Sequence, residues 1–254
     1  MERSVKYNLL SCVWEITLSC CFSCRYCGSK AGKARDNELS TDEALNVAGQ
    51  LADIGCRRVS LIGGEVFMRS DWAKIVKALT DRGVKVSVIT NGFMFSERLI
   101  SSLKELKIES VAISLDGPEE IHDLFRQRGS FKRAEQAMDV LIENEIPVSV
   151  ITTLHSRNVS KLEEMYSFLK HKDIFAWQIQ ACSPMGNAAS GEFSTEIDFS
   201  SVIRFVEKHI GKAPFAIGIA DNIGYYTRSE GYLRGNLSGK ACFNAAAQGL
   251  RALG

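Results

Sequence analysis

Residues 58–65 read Arg58-Val59-Ser60-Leu61-Ile62-Gly63-Gly64-Glu65. A short, largely apolar run stops abruptly at two glycines and a carboxylate. A run of this length bounded by glycines reads as a β-strand ending in a tight turn. The same arrangement recurs on either side. Residues 13–18 read as a first strand that ends at a group of cysteines, and residues 84–90 as a third that ends at Asn91-Gly92. A fourth strand is expected at 110–115, before Asp116-Gly117-Pro118, a fifth at 147–154, and a sixth at 175–181, shortly before Pro184-Met185-Gly186. Helical patterns fill the intervals at 41–54, 71–80, 96–106, 118–125, 131–144 and 159–170. Ser40 or Thr41 with Glu43 has the spacing of a capping box at the first of them.

Strands alternating with helices of this length predict an α/β fold with parallel strands and right-handed crossovers. Six units favour a partial (β/α)6 barrel over a flat sheet. The barrel is expected over residues 10–190, with a C-terminal extension over 191–254. In that extension, residues 192–198 are polar, 199–209 read as an amphipathic helix, and 215–220 read as a strand. Residues 224–239, rich in glycine, serine and tyrosine, are expected to form a loop or lid over the barrel mouth. Five polar or glycine-rich signals follow strands: the cysteines, Gly63-Gly64-Glu65, Thr90-Asn91-Gly92, Ser114 with Asp116-Gly117, and Pro184-Met185-Gly186. In parallel α/β architectures that carboxyl edge is where active sites gather.

The chain has 254 residues, 45% of them hydrophobic and 24% charged, enough to bury one large core. A net charge of +1 with scattered basic residues gives no electrostatic footprint for nucleic acid. No apolar run reaches the ~20 residues needed to span a bilayer. Residues 1–12 lack the pattern of a signal peptide. A cytoplasmic chain with neither a nucleic-acid nor a membrane partner is the expectation.

Four cysteines fall within eight residues, in Cys20-Cys21-Phe22-Ser23-Cys24-Arg25-Tyr26-Cys27. Cys20, Cys24 and Cys27 form C-x3-C-x2-C, three thiols on one short loop. A structural zinc site is normally closed by a fourth Cys or His, and no second pair at ligand spacing follows. A four-iron cluster held by three thiolates leaves one iron open for a small molecule. Buried small hydrophobes suit Cys12 and Cys56 better than the group of four. Closely spaced cysteines in a chain of cytosolic character favour metal or catalytic roles over disulfides. A zinc-binding, non-catalytic protein remains the rival.

The cysteine spacing after a first strand, with Gly-Gly-Glu after the second, resembles the radical S-adenosylmethionine superfamily. Ile113-Ser114-Leu115-Asp116-Gly117-Pro118, Ile121-His122-Asp123 with Arg126, Gly129-Ser130-Phe131 and Trp177-Gln178-Ile179-Gln180 extend the likeness over most of residues 13–186. It is nearest to the branch that modifies peptides and proteins and often carries a C-terminal SPASM or twitch auxiliary-cluster region. The resemblance implies a [4Fe–4S] cluster on Cys20, Cys24 and Cys27, with S-adenosylmethionine on the open iron. Gly63 and Gly64 would let the backbone approach that ligand, and Glu65 would accept hydrogen bonds from its methionyl ammonium. Ser114 is implied for the ribose, Tyr26 for packing near the adenine and Arg126 for the ligand carboxylate. His122, His155 and Cys21 are expected to be structural or spectator groups.

Two features depart from the family pattern. Val66 stands where a proline commonly follows Glu65. Gly239-Lys240-Ala241-Cys242-Phe243-Asn244 resembles the entry to an auxiliary-cluster region, yet Ala245, Ala246 and Ala247 follow. Cys242 alone comes after Cys182, so no four-cysteine auxiliary site is expected unless distant thiols or another chain contribute. The resemblance implies reductive cleavage of S-adenosylmethionine to a 5′-deoxyadenosyl radical, which abstracts hydrogen from a peptide or protein substrate, with flavodoxin or ferredoxin as electron donor. A radical enzyme acting on a small molecule in cofactor biosynthesis, or as an activase, is the alternative within the family.

Overall fold

The structure is a computed structural model that describes residues 9–191, 193–220, 222, 223 and 233. Seven parallel strands form one sheet in chain order: β1 (Ser11–Glu15), β2 (Arg58–Ile62), β3 (Lys85–Thr90), β4 (Ser110–Ser114), β5 (Val148–Leu154), β6 (Ala176–Ala181) and β7 (Ala216–Ile219). Between them run α1 (Thr41–Asp53), α2 (Trp72–Thr80), α3 (Glu97–Glu105), α4 (Glu119–Phe125), α5 (Ser130–Glu143), α6 (Leu162–Leu169) and α7 (Phe199–His209). β1 and β7 remain the two edges, so the sheet curls into an open half-barrel.

Local chemistry explains the boundaries. Ser40 Oγ accepts from Glu43 N–H at 3.3 Å, and Glu43 Oε2 accepts from Ser40 N–H at 2.8 Å, closing the expected capping box on α1. Ser96 caps α3 in the same way through Leu99 N–H. All seven residues of β5 are buried, as in a parallel strand covered on both faces. Trp177, Leu61, Ile113, Met138, Leu141 and Leu154 are among the largest fully buried side chains of the continuous core.

The sheet extends further than six units. Residues 199–209 and 215–220, read from sequence as parts of a C-terminal extension, contain α7 and β7. β7 pairs with β6 in parallel, Trp177 opposite Ile217 and Gln178 opposite Gly218. These residues therefore continue the half-barrel. β1 also starts and stops earlier than the sequence suggests. Residues 16–18 already belong to the loop, although Ile16 N–H still reaches Ile62 O at 2.9 Å. Of the expected lid at 224–239 only Leu233 is described, and it is buried in the core; the Cys242 segment lies outside the described residues.

Candidate active site

A cavity of about 480 Å³ opens at the carboxyl edge of the strands. Cys20, Cys24 and Cys27 line one side, on the loop after β1. Gly63, Gly64, Thr90, Asn91 and Ser114 line the mouth from β2, β3 and β4. Tyr26 and Arg126 close the wall beside Cys24, while Thr153, Gln178, Gln180 and Asn222 face them from β5, β6 and beyond. All five post-strand signals thus contribute to one mouth: the fourth through Ser114, the fifth through Met185.

The cysteine loop is pinned at its base. Cys20 N–H reaches Gly32 O at 3.0 Å, and Gly32 N–H reaches Leu18 O at 2.9 Å. The β2 turn packs directly on this loop. Gly64 N–H donates to Thr17 O and Glu65 N–H to Ser19 O, both at 2.8 Å. A Cβ at position 63 would lie 2.6 Å from Thr17 O, and one at 64 would lie 2.4 Å from Ser19 O and 2.7 Å from Cys20 Cβ. The glycines are required here by the backbone of the cysteine loop itself, a demand that the sequence reading assigned to a ligand.

Glu65 is fully buried and does not line the cavity. Thr90 Oγ1 donates to both of its oxygens, at 2.8 and 2.9 Å, and Asn91 N–H to Oε2 at 2.9 Å. Phe67 N–H adds a longer contact of 3.3 Å to Oε1. Burial raises its pKa to about 7 against the pull of these donors. The carboxylate joins the end of β2 to the end of β3, whereas the sequence aimed it at an ammonium. Val66, in the place of the expected proline, is also fully buried and starts a short 3-10 turn, Val66–Met68.

On the β4 side the grip is made by charge. Asp116 is buried, and its Oδ2 accepts from both Tyr26 Oη and Arg126 Nε. Its Oδ1 accepts from Thr153 N–H at 2.9 Å. The Arg126 guanidinium lies 5.4 Å from the Tyr26 ring centroid. Burial works to raise the Asp116 pKa, but Arg126 prevails and holds it below the usual carboxylate range. Sequence reading placed Asp116 only among the polar signals that follow strands. The signal it missed was Arg126 ten residues on, which α4 folds back onto the carboxylate. Ser114 stands at the end of β4, half-buried and facing the cavity.

His122 and His155 are fully buried and do not line the cavity. His122 Nδ1 accepts from Asp116 N–H and His155 Nδ1 from Arg157 N–H, each at 3.2 Å. His155 stacks on Phe125 with centroids 3.9 Å apart. Burial lowers both pKa values to about 4. Cys21 accepts from Asn91 Nδ2 at 3.5 Å and is not part of the cavity lining.

The donor set can be tested against the group it would hold. Cys20, Cys24 and Cys27 all line this one cavity, and thiolates are the usual ligands of an iron–sulfur cluster. Burial pushes the Cys24 thiol up to about 11 while Arg126 pulls it down, so metal binding there displaces a proton.

A curled parallel half-barrel with three thiols and a glycine turn at its mouth defines an α/β enzyme built around a cofactor at the carboxyl edge. The family model of the radical SAM superfamily matches residues 14–169, and the chain belongs to that superfamily. Its enzymes carry out radical reactions with a [4Fe–4S] cluster and S-adenosylmethionine. The AdoMet-dependent heme synthase of Methanosarcina barkeri is 28% identical over 195 residues, covering 76% of this chain and 56% of the relative. The sporulation killing factor maturation protein SkfB of Bacillus subtilis is 28% identical over 199 residues, covering 78% and 48%. Streptococcus suis SuiB bound to S-adenosylmethionine shares the fold, with a TM-score of 0.73 at 15% identity over 84% of this chain and 51% of that one. The chain spans about half the length of these relatives. Among the described residues no helix is long and apolar enough to cross a membrane.

Proposed function

We propose that Cys20, Cys24 and Cys27 each hold one iron of a [4Fe–4S] cluster and that S-adenosylmethionine occupies the adjoining cavity, in an enzyme that modifies a peptide or protein. The observation that carries the cofactor assignment is the meeting of these three thiols with Gly63, Gly64, Ser114, Tyr26 and Arg126 in one cavity. When bound, this pair of cofactors supplies a 5′-deoxyadenosyl radical that takes hydrogen from an unactivated carbon. The residues of the chain bind, orient and exclude water. Ser114 offers its hydroxyl to the ribose, and Tyr26 forms the wall near the adenine. Arg126 brings a positive charge toward the ligand carboxylate while anchored by Asp116. Glu65 acts at one remove, by fixing the turn that carries Gly63 and Gly64.

A heme synthase and a peptide maturation protein are each 28% identical to this chain, so the choice of a peptide rests on the chemistry of the substrate side of the cavity. Among its described lining residues, Arg126 is the charged side chain, and it is already engaged by Asp116. Thr153, Gln178, Gln180 and Asn222 form a neutral wall, in which Asn222 pairs with the Ala181 backbone, Gln180 Nε2 donates to Thr153 Oγ1, and Gln178 adds a further amide. Amides pair with the amides of a peptide, whereas a tetrapyrrole bearing several carboxylates calls for cations. Reduced flavodoxin or ferredoxin is the proposed electron source. The test is anaerobic reconstitution, reduction, and mass spectrometry with a short peptide encoded beside the gene and, in parallel, an iron porphyrin carboxylate. 5′-Deoxyadenosine together with a mass change in the peptide supports the reading. A change confined to the porphyrin overturns the peptide assignment, and no 5′-deoxyadenosine overturns the whole.

A further inference from the structure

The signal Pro184-Met185-Gly186 so far contributes only Met185 to the mouth, yet its neighbour Asn187 reaches the cysteine loop across 163 residues of chain. The segment follows β6 and forms a short 3-10 helix, Gly186–Ser190. Asn187 N–H donates to Cys27 O at 2.9 Å, and Asn187 Nδ2 donates to Cys24 O at 2.8 Å. Two donors of one residue thus meet the carbonyls of two of the three candidate ligand residues. Each carbonyl also accepts from within the loop, Cys24 O from Cys27 N–H at 3.2 Å and Cys27 O from Lys30 N–H at 3.3 Å. Gly186 permits this approach. Its φ is +60°, and a Cβ there would lie 2.2 Å from Cys27 O and 2.3 Å from Gly28 O. On the other side, Ala188 is buried with Tyr26, Phe125 and Cys182, so the segment is seated in the wall.

We propose that Gly186 and Asn187 are a clasp that positions the cluster loop, setting how firmly iron is held and at what potential it is reduced. The proposal rests on the assignment of the cluster to Cys20, Cys24 and Cys27. Fixing both carbonyls fixes the Cys24–Cys27 turn, and with it the hydrogen bond from Ala31 N–H to Cys27 Sγ at 3.3 Å. Hydrogen bonds to ligand sulfur and the orientation of the ligands tune both the potential and the retention of a cluster. The clasp also bridges the mouth, tying the loop after the first strand to the loop after the sixth. Asn187 is a positioning residue: it touches ligand-bearing backbone and lies on a different wall from the cavity lining.

The experiment uses the full chain, reconstituted anaerobically, with Asn187→Ala, Asn187→Asp and a triple Cys20/Cys24/Cys27→Ala variant. Iron release to bathophenanthroline and a redox titration followed by electron paramagnetic resonance are the readouts, with the unfolding temperature of the iron-free chain as control. Asn187→Ala should take up a full cluster but release iron about fivefold to tenfold faster, the size expected for one lost neutral hydrogen bond. Asn187→Asp keeps the side-chain volume but sets an acceptor against Cys24 O, so it should release iron faster still and shift the potential. Wild-type release and potential in both Asn187 variants, with iron lost in the triple variant, overturn the clasp and leave the cluster assignment standing. Iron retained by the triple variant overturns both.

Discussion

Two corners of the mouth hold the same cysteine loop by opposite means. At the β2 corner, backbone meets backbone: Gly63 and Gly64 lie so close to residues 17–20 that no side chain fits between them. At the β4 corner, side chains do the holding, through a buried carboxylate shared by Tyr26 and Arg126. The first corner should be intolerant of added volume. The second should tolerate modest changes of shape and fail when its charge is altered. Their responses to pH should also oppose each other. Glu65 at the β2 corner has a raised pKa, while His122 and His155 at the β4 corner have lowered ones.

The largest effect should come from charge. Asp116→Asn leaves the Arg126 guanidinium buried beside a neutral partner, a loss of about 3–5 kcal/mol in the stability of the iron-free chain. Urea unfolding measures it, and a change below about 1 kcal/mol would show that water or another group already compensates Arg126.

Acid comes next. Each imidazole is neutral in the fold down to about pH 4, whereas an unfolded histidine protonates near 6.5. The unfolded chain therefore binds more protons between those values, and stability falls as pH drops through this window, by up to about 3 kcal/mol per histidine. Glu65 acts in the other direction. Its folded pKa of about 7 exceeds the usual carboxylate value of 4.5, so its contribution is fully present below 4.5 and is lost as pH rises through 7. Two imidazoles outweigh one carboxyl, and unfolding at pH 7 and pH 5 should show a net loss at the lower value. Glu65→Gln should steepen that loss; an unchanged or shallower slope would break the contrast between the corners.

Volume should have the smallest effect on stability. Gly64→Ala is expected to cost about 1–3 kcal/mol, as overpacking does, but to displace Cys20 and so lower iron content out of proportion. A variant of normal stability that binds four irons per chain would mean that the β2 turn yields easily.

Much of this was legible in sequence because it is local. Glycine, proline and asparagine mark the strand ends, so six strands and their helices fall within a few residues of expectation, and Ser40 with Glu43 announces α1 outright. The cysteine spacing is equally local. What escaped depends on distant partners. The strand at 215–220 was legible, but its place in the barrel sheet was not, because its partner β6 is set by tertiary pairing. Asp116 was only a polar signal after a strand until α4 brought Arg126 back to it. Glu65 stood at the right strand end, but the side to which its carboxylate turns depends on Thr90, one strand away. Asn187 gives no local sign at all, since its partner Cys24 lies 163 residues earlier.

That separation has a consequence in time. The ribosome makes the four thiols at positions 20–27 first and the residue that completes their loop last. At about 5–20 residues per second, the interval between Cys24 and Asn187 takes roughly 8–33 s. Throughout it the nascent thiols have neither the β6 clasp nor, at the outset, the β2 turn or Arg126. On the proposed cluster assignment, iron therefore enters a finished loop only after Asn187 has been made.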